Sequence, residues 1–161
     1  MPEHILLENA TIVTMNSERE ILTNTSLVIS NEKIAAIGEP KTLREQHQSA
    51  ESIDCRGKVI LPGFINAHTH VALSLQKGVS MAVPDGLYRV MWPIERSLTP
   101  EDCYIGALAG GAEALKGGTT SVVDRYFFME QTAQATTVLG LRGFLGHTIM
   151  SRLGPRTGEK E

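Results

Sequence analysis

The sequence predicts an α/β fold: the first β-α units of a TIM-type (β/α) barrel, incomplete, preceded by a small β-sandwich-like domain. Three observations predict it. Residues 1–61 read as short strands joined by polar turns. Pro62-Gly63 marks a boundary, because neither residue fits comfortably inside a strand. Residues 62–161 then alternate strand and helix patterns, the rhythm of a parallel sheet.

Within residues 1–61, Ala10 to Met15 is β-rich, and Asn16-Ser17-Glu18-Arg19-Glu20 breaks the run. Thr25 to Ile29 and Lys33 to Ile37 flank Asn31-Glu32 as a hairpin would. Residues 40–50 are polar enough for one or two helical turns. Ile53-Asp54-Cys55 and Val59-Ile60-Leu61, separated by a turn at Arg56-Gly57, predict a further strand pair.

After the boundary, Phe64 to Ala67 is the first strand of the second rhythm. Thr99-Pro100-Glu101-Asp102 starts a helix, with Thr99 as cap, proline at the first position and acids in the first turn. Ile105, Leu108, Ala112 and Leu115 recur at helical spacing until Gly117-Gly118 stops the run. Thr119 to Val123 is β-branched and predicts the second strand, with Asp124 at its end. Gln131 to Leu139 predicts a helix ending at Gly140, and Leu141 to Gly146 a third strand with His147 at its tip. A full barrel takes about 250 residues, and only about 100 follow the boundary. The expectation is therefore an N-terminal fragment of a larger enzyme.

Composition narrows the partners. Hydrophobic residues make up 42% and charged residues 20%, as in a globular domain, and the net charge of −3 comes with no basic cluster to bind nucleic acid. No stretch reaches the roughly 18–20 apolar residues that span a bilayer. Met1-Pro2-Glu3-His4 lacks the basic start of a secretory signal, and Cys55 and Cys103 form no pair motif. A cytoplasmic protein without a membrane partner is expected.

The chemistry concentrates in Pro62-Gly63-Phe64-Ile65-Asn66-Ala67-His68-Thr69-His70. Side chains two apart on a strand share a face, so His68 and His70 can present two imidazoles together. Neutral imidazole is a common zinc ligand, and the carboxyl end of a barrel strand is where such ligands serve catalysis.

The chain resembles the amidohydrolase superfamily on Lys58-Val59-Ile60-Leu61-Pro62-Gly63-Phe64-Ile65-Asn66-Ala67-His68-Thr69-His70 and on Gly117-Gly118-Thr119-Thr120-Ser121-Val122-Val123-Asp124. Met91-Trp92-Pro93-Ile94-Glu95, with Leu75-Gln76-Lys77-Gly78 before it, narrows the resemblance. It points to the branch of S-adenosylhomocysteine and methylthioadenosine deaminases, near triazine chlorohydrolases and guanine deaminase.

The resemblance implies that His68 and His70 are the first two ligands of a divalent metal, zinc before Fe2+ or Mn2+. It implies that Glu95 accepts hydrogen bonds from ribose hydroxyls, which an ionised carboxylate is equipped to do. The competing reading of Glu95 is a solvated acid near a helix end. His147 falls where the branch places an arginine or another substrate contact, and a structural histidine explains it equally. Asp124 could cap the loop after the second strand. Trp92, Met91 and Met81 could wall an adenine or thioether, or belong to the core.

By the same resemblance a later histidine, a His-x-x-Glu segment and an aspartate complete the site, and none falls within residues 1–161. The implied reaction is hydrolytic deamination of an adenosine-type nucleoside. The alternatives are a triazine chlorohydrolase, a guanine- or cytosine-type deaminase, or a non-catalytic fragment that binds metal or associates through unpaired strand edges as a homo-oligomer.

Overall fold

Alternation of period two is plainest in β1 (His4–Val13), where Leu6, Glu8, Ala10 and Ile12 turn inward and their neighbours lie nearer solvent. The computed structural model describes residues 3–79 and 83–149, which fall into two compact units, Met1–Pro62 and Gly63–Glu161.

In the first unit β1 is followed by β2 (Ile21–Ser30), β3 (Lys33–Gly38), α1 (Pro40–Gln46), β4 (Glu51–Asp54) and β5 (Val59–Ile60). The hairpin at Asn31-Glu32 is present, with Ser30 opposite Lys33. Its two loop residues have φ of 48° and 64°, the left-handed pair that matches the twist of adjoining strands. α1 starts where the Glu39 carboxylate accepts the amides of Lys41 and Thr42 at 3.0 and 2.7 Å. Leu43 of α1 packs on Leu6 and Val28, and a second cluster joins Ala10, Ile12, Leu27 and Cys55.

The predicted pairing of residues 53–61 with one another is wrong. β4 and β5 both lie parallel to β1, Ile5 opposite Glu51 and Thr11 opposite Val59. The turn at Arg56-Gly57 does not reverse the chain. Cys55 donates to the Glu8 carbonyl at 2.8 Å and Thr11 donates to the Lys58 carbonyl at 3.1 Å, so the chain leaves β1 and rejoins the same edge. The described residues of this unit hold one five-stranded sheet, in the order β3-β2-β1-β4 with β5 beside β1.

Glu8 is buried on β1 at 3% exposure and is held by Arg44 and Ser52. Burial pushes its carboxyl up, but the Ser52 hydroxyl and the Arg44 guanidinium outweigh that and hold it below the usual carboxylate range. A carboxyl lowered by folding stabilises the fold at neutral pH and ceases to do so as pH falls through its folded value. Glu8→Gln should cost about 1.5–3 kcal/mol at pH 7, the worth of hydrogen bonds to a charged group. Urea midpoints of the two proteins should converge in acid. An unchanged gap from pH 7 to pH 2 would show that the charge is irrelevant.

The second unit contains β6 (Phe64–Thr69), a 3-10 helix (Val71–Gln76), a π turn (Leu87–Met91) leading into α2 (Trp92–Glu95), α3 (Pro100–Lys116), β7 (Thr119–Tyr126), α4 (Met129–Leu139) and β8 (Arg142–His147). The strands are parallel in the order β6-β7-β8, joined through helices. The cap of α3 is reciprocal: Thr99 Oγ1 accepts the Asp102 amide at 3.2 Å, and Asp102 Oδ2 accepts the Thr99 amide at 2.8 Å. Gly140, at φ 72°, ends α4, and Leu141 donates back to the Thr136 carbonyl at 2.9 Å.

Two details differ from the sequence reading. The covered face of α3 is Cys103, Gly106, Ala107 and Gly111, while Ile105 is exposed. Small residues win because α3 approaches the backbone of the 3-10 helix closely. A methyl group on Gly106 or Gly110 would run into the carbonyl oxygen of Ala72 or Val71. In addition, β7 continues two residues past Asp124, because pairing with β8 runs on to Tyr126 opposite His147. No helix among the described residues is long and apolar enough to cross a membrane.

Candidate metal centre

His68 and His70 stand at the carboxyl end of β6. Asn66 pairs with Val122 and Thr69 with Asp124, so three steps on β6 match two on β7 and a bulge falls at Ala67-His68. The Asn66 side chain accepts the His68 amide at 3.2 Å. The two imidazoles meet edge to face, with ring centroids 5.3 Å apart at 75°.

The His70 ring has a defined proton. Its Nδ1 lies 2.6 Å from the Arg125 carbonyl oxygen, which can only accept, so Nδ1 donates and in the neutral imidazole Nε2 keeps its lone pair. Metal-bound histidines are commonly prepared in this way, with the second nitrogen on a carbonyl or carboxylate. Below the ring, Asp124 is buried at 3% exposure. It does not cap the loop after β7: its Oδ2 accepts the amide of Val71, just past β6, at 2.8 Å. Burial pushes its carboxyl up, against the Val71 amide and His70, which pull it down. An open cleft of about 560 Å3 spans the three strand ends, lined by Ala67, His68, His70, Asp124 and Leu145 among others.

Glu95 is also buried, at 8% exposure, which removes the solvated-acid reading. Its Oε1 accepts the Tyr126 hydroxyl at 2.8 Å. Tyr126 in turn lies beside His70, ring centroids 5.8 Å apart, and burial followed by the Glu95 carboxylate pushes its phenol well above the ordinary value. Tyr126 therefore links two residues that sequence reasoning treated separately. Its signal was available, since Val122, Asp124 and Tyr126 recur at period two and all three are buried.

The remaining candidates are less connected. His147 ends β8 half-exposed, its Nδ1 3.9 Å from Glu130 Oε1, and the cleft lining stops at Gly146. Met91 is buried, and Trp92 packs edge to face on Tyr88 at 4.5 Å. Met81 lies outside the described residues. The Cys103 thiol is pushed up to about 11 by burial, with Asp102 and Glu95 adding to it, and is no nucleophile at neutral pH.

No group of three or more His, Cys, Asp or Glu among the described residues could enclose a metal ion. The donors present nevertheless suit one. Two adjacent imidazoles, one with Nδ1 already engaged by a carbonyl, match two of the three protein ligands usual at catalytic zinc.

The chain belongs to the amidohydrolase family, whose model matches residues 59–161. It is 41% identical over 148 residues to a 5′-deoxyadenosine deaminase of Methanobrevibacter smithii, covering 91% of this chain and 33% of the relative. A 5-methylthioadenosine/S-adenosylhomocysteine deaminase of Carboxydothermus hydrogenoformans is 39% identical over 158 residues, covering 97% and 36%. The chain spans about a third of the length of the curated relatives it matches.

An adenosine deaminase from Xanthomonas campestris, solved with bound zinc, superposes with a TM-score of 0.71 at 28% identity, covering 86% of this chain and 32% of that one. The zinc complex of an atrazine chlorohydrolase from Arthrobacter aurescens superposes at 0.78 and 23% identity over 94% of this chain and 39% of that one, a likeness of fold.

Proposed function

We propose that these residues are the N-terminal part of a zinc-dependent aminohydrolase that deaminates an adenosine-type nucleoside such as S-adenosylhomocysteine or methylthioadenosine. Residues 1–61 are its small β-rich domain, and residues 62–161 open a TIM-type barrel. One observation carries the reading: His70 donates Nδ1–H to the Arg125 carbonyl beside His68, which prepares a ligand pair at the strand ends. The names of the relatives support the substrate class, and the zinc-bound neighbour supports the metal.

His68 and His70 would hold the cation, which when bound supplies the Lewis-acid chemistry that makes water a nucleophile at neutral pH. The Asn66 side chain restrains the backbone at His68, and Arg125 fixes the His70 ring. Glu95 receives the ribose hydroxyls, its second oxygen held in place by the Tyr126 hydroxyl. Release of ammonia from the purine carbon needs a general acid, and we assign that role to no residue within 1–161.

A polypeptide of these 161 residues should be catalytically silent, because it brings two protein ligands where catalytic zinc has three. It should also associate with itself, since Phe64, Ile65 and Phe144 are each more than half exposed on its open sheet. Incubation of the zinc-loaded polypeptide with S-adenosylhomocysteine should leave the adenine absorbance constant. Turnover near the roughly 1 per second of ordinary enzymes would overturn the partial-site reading. Sedimentation as a clean monomer would overturn the open-barrel reading.

A further inference from the structure

Asp124 is a buried carboxyl group that neither the ligand pair nor Glu95 uses. Its side chain is 1% exposed. Oδ2 is occupied by the Val71 amide. Oδ1 is buried without a hydrogen-bond partner among the described residues and stands 3.9 Å from His70 Nδ1. An unsatisfied buried acceptor is destabilising, more so when charged, so the group is kept here against a penalty.

Its place in the chain suggests why. Val71 directly follows His70, and Arg125, whose carbonyl takes the His70 proton, directly follows Asp124. Two consecutive residues of β7 thus grip the two consecutive residues His70 and Val71 just past the end of β6. One bond sets the backbone, and the other sets the ring.

We propose that Asp124 is the positioning residue of His70. By anchoring Val71 it keeps the imidazole donating through Nδ1 to Arg125 and leaves Nε2 for the cation. Its free oxygen places a negative charge behind the same N–H, forming a carboxylate–imidazole–cation line. The inference rests on His68 and His70 being ligands. Asparagine at 124 could still accept from Val71 but would carry no charge, and alanine could do neither, so the two variants separate anchoring from charge.

The test compares the parental protein with Asp124→Asn, Asp124→Ala and His68→Ala. Zinc affinity is read by competition with a chromogenic chelator. The His70 tautomer is read from 15N ring spectra without metal, and backbone amide spectra report folding. Asp124→Ala should bind zinc about 10- to 100-fold more weakly, the usual effect of removing a ligand's outer partner. Its His70 should pass from the Nδ1–H form to a mixture while the His68 ring signals stay. Asp124→Asn should restore the Nδ1–H form and only part of the affinity.

A folded Asp124→Ala with parental affinity and tautomer would overturn the proposal. Should the alanine variant not fold, Asp124→Asn decides: reduced affinity with the tautomer retained supports the proposal, and parental affinity overturns it. A parental protein that binds zinc no better than His68→Ala would instead overturn the ligand reading, and the cation role of Asp124 with it.

Discussion

His68→Ala, made in a protein extended to the length of its deaminase relatives, should lose its zinc and nearly all nucleoside deamination together. His68 is one of two imidazoles converging at the end of β6, and no acid, thiol or third histidine among the described residues joins them to compensate. Metal activation of water and of the substrate is worth several kcal/mol, so the rate should fall about a thousandfold or more. The ring is exposed and its backbone bond to Asn66 survives the change, so circular dichroism should match the parent. Zinc measured by atomic absorption at one equivalent in the variant would sink the assignment.

Glu95→Gln should have a different signature: substrate recognition fails while the metal stays. The carboxylate has one oxygen on the Tyr126 hydroxyl, and an amide oxygen at that place can go on accepting it. The amide nitrogen, however, cannot accept from a ribose hydroxyl. Hydrogen bonds to charged groups are worth about 1.5–3 kcal/mol, so kcat/KM for the nucleoside should drop roughly ten- to a hundredfold at unchanged zinc content. Parental kcat/KM in the variant would remove the ribose role. The substrate would then be sought among bases and triazines, which carry no sugar.

The order β6, α3, β7, α4, β8 was readable along the chain because its signals are local, whereas the short helices between β6 and α3 carry no such signal and were not predicted. Thr99-Pro100, Gly117-Gly118 and Gly140 punctuate the helices where the structure ends them, and His-x-His marks the strand end that carries the imidazoles. What escaped the sequence depends on partners far away in it. The path of β4 and β5 is set by their bonds to β1, which no turn motif announces. The packed face of α3 is made of glycines, an alanine and a small cysteine, invisible to a search for large apolar residues. On residue type alone Glu95 reads as a surface acid until Tyr126, 31 residues later, is laid against it. Asp124 reads as a loop cap until Val71, 53 residues earlier, turns its amide towards it.

The glycines of α3 also bear on how this site can vary. The turn that follows His70 is gripped by β7 through Val71, and its Val71 and Ala72 carbonyls face Gly110 and Gly106 with no room for a methyl group. A segment wedged between strand and helix has no slack, so adding or deleting a residue from Gly63 to Gln76 would drag the imidazoles out of alignment. Variation around the site is thereby directed to positions outside the wedge, where side chains can change while the imidazole pair stays still.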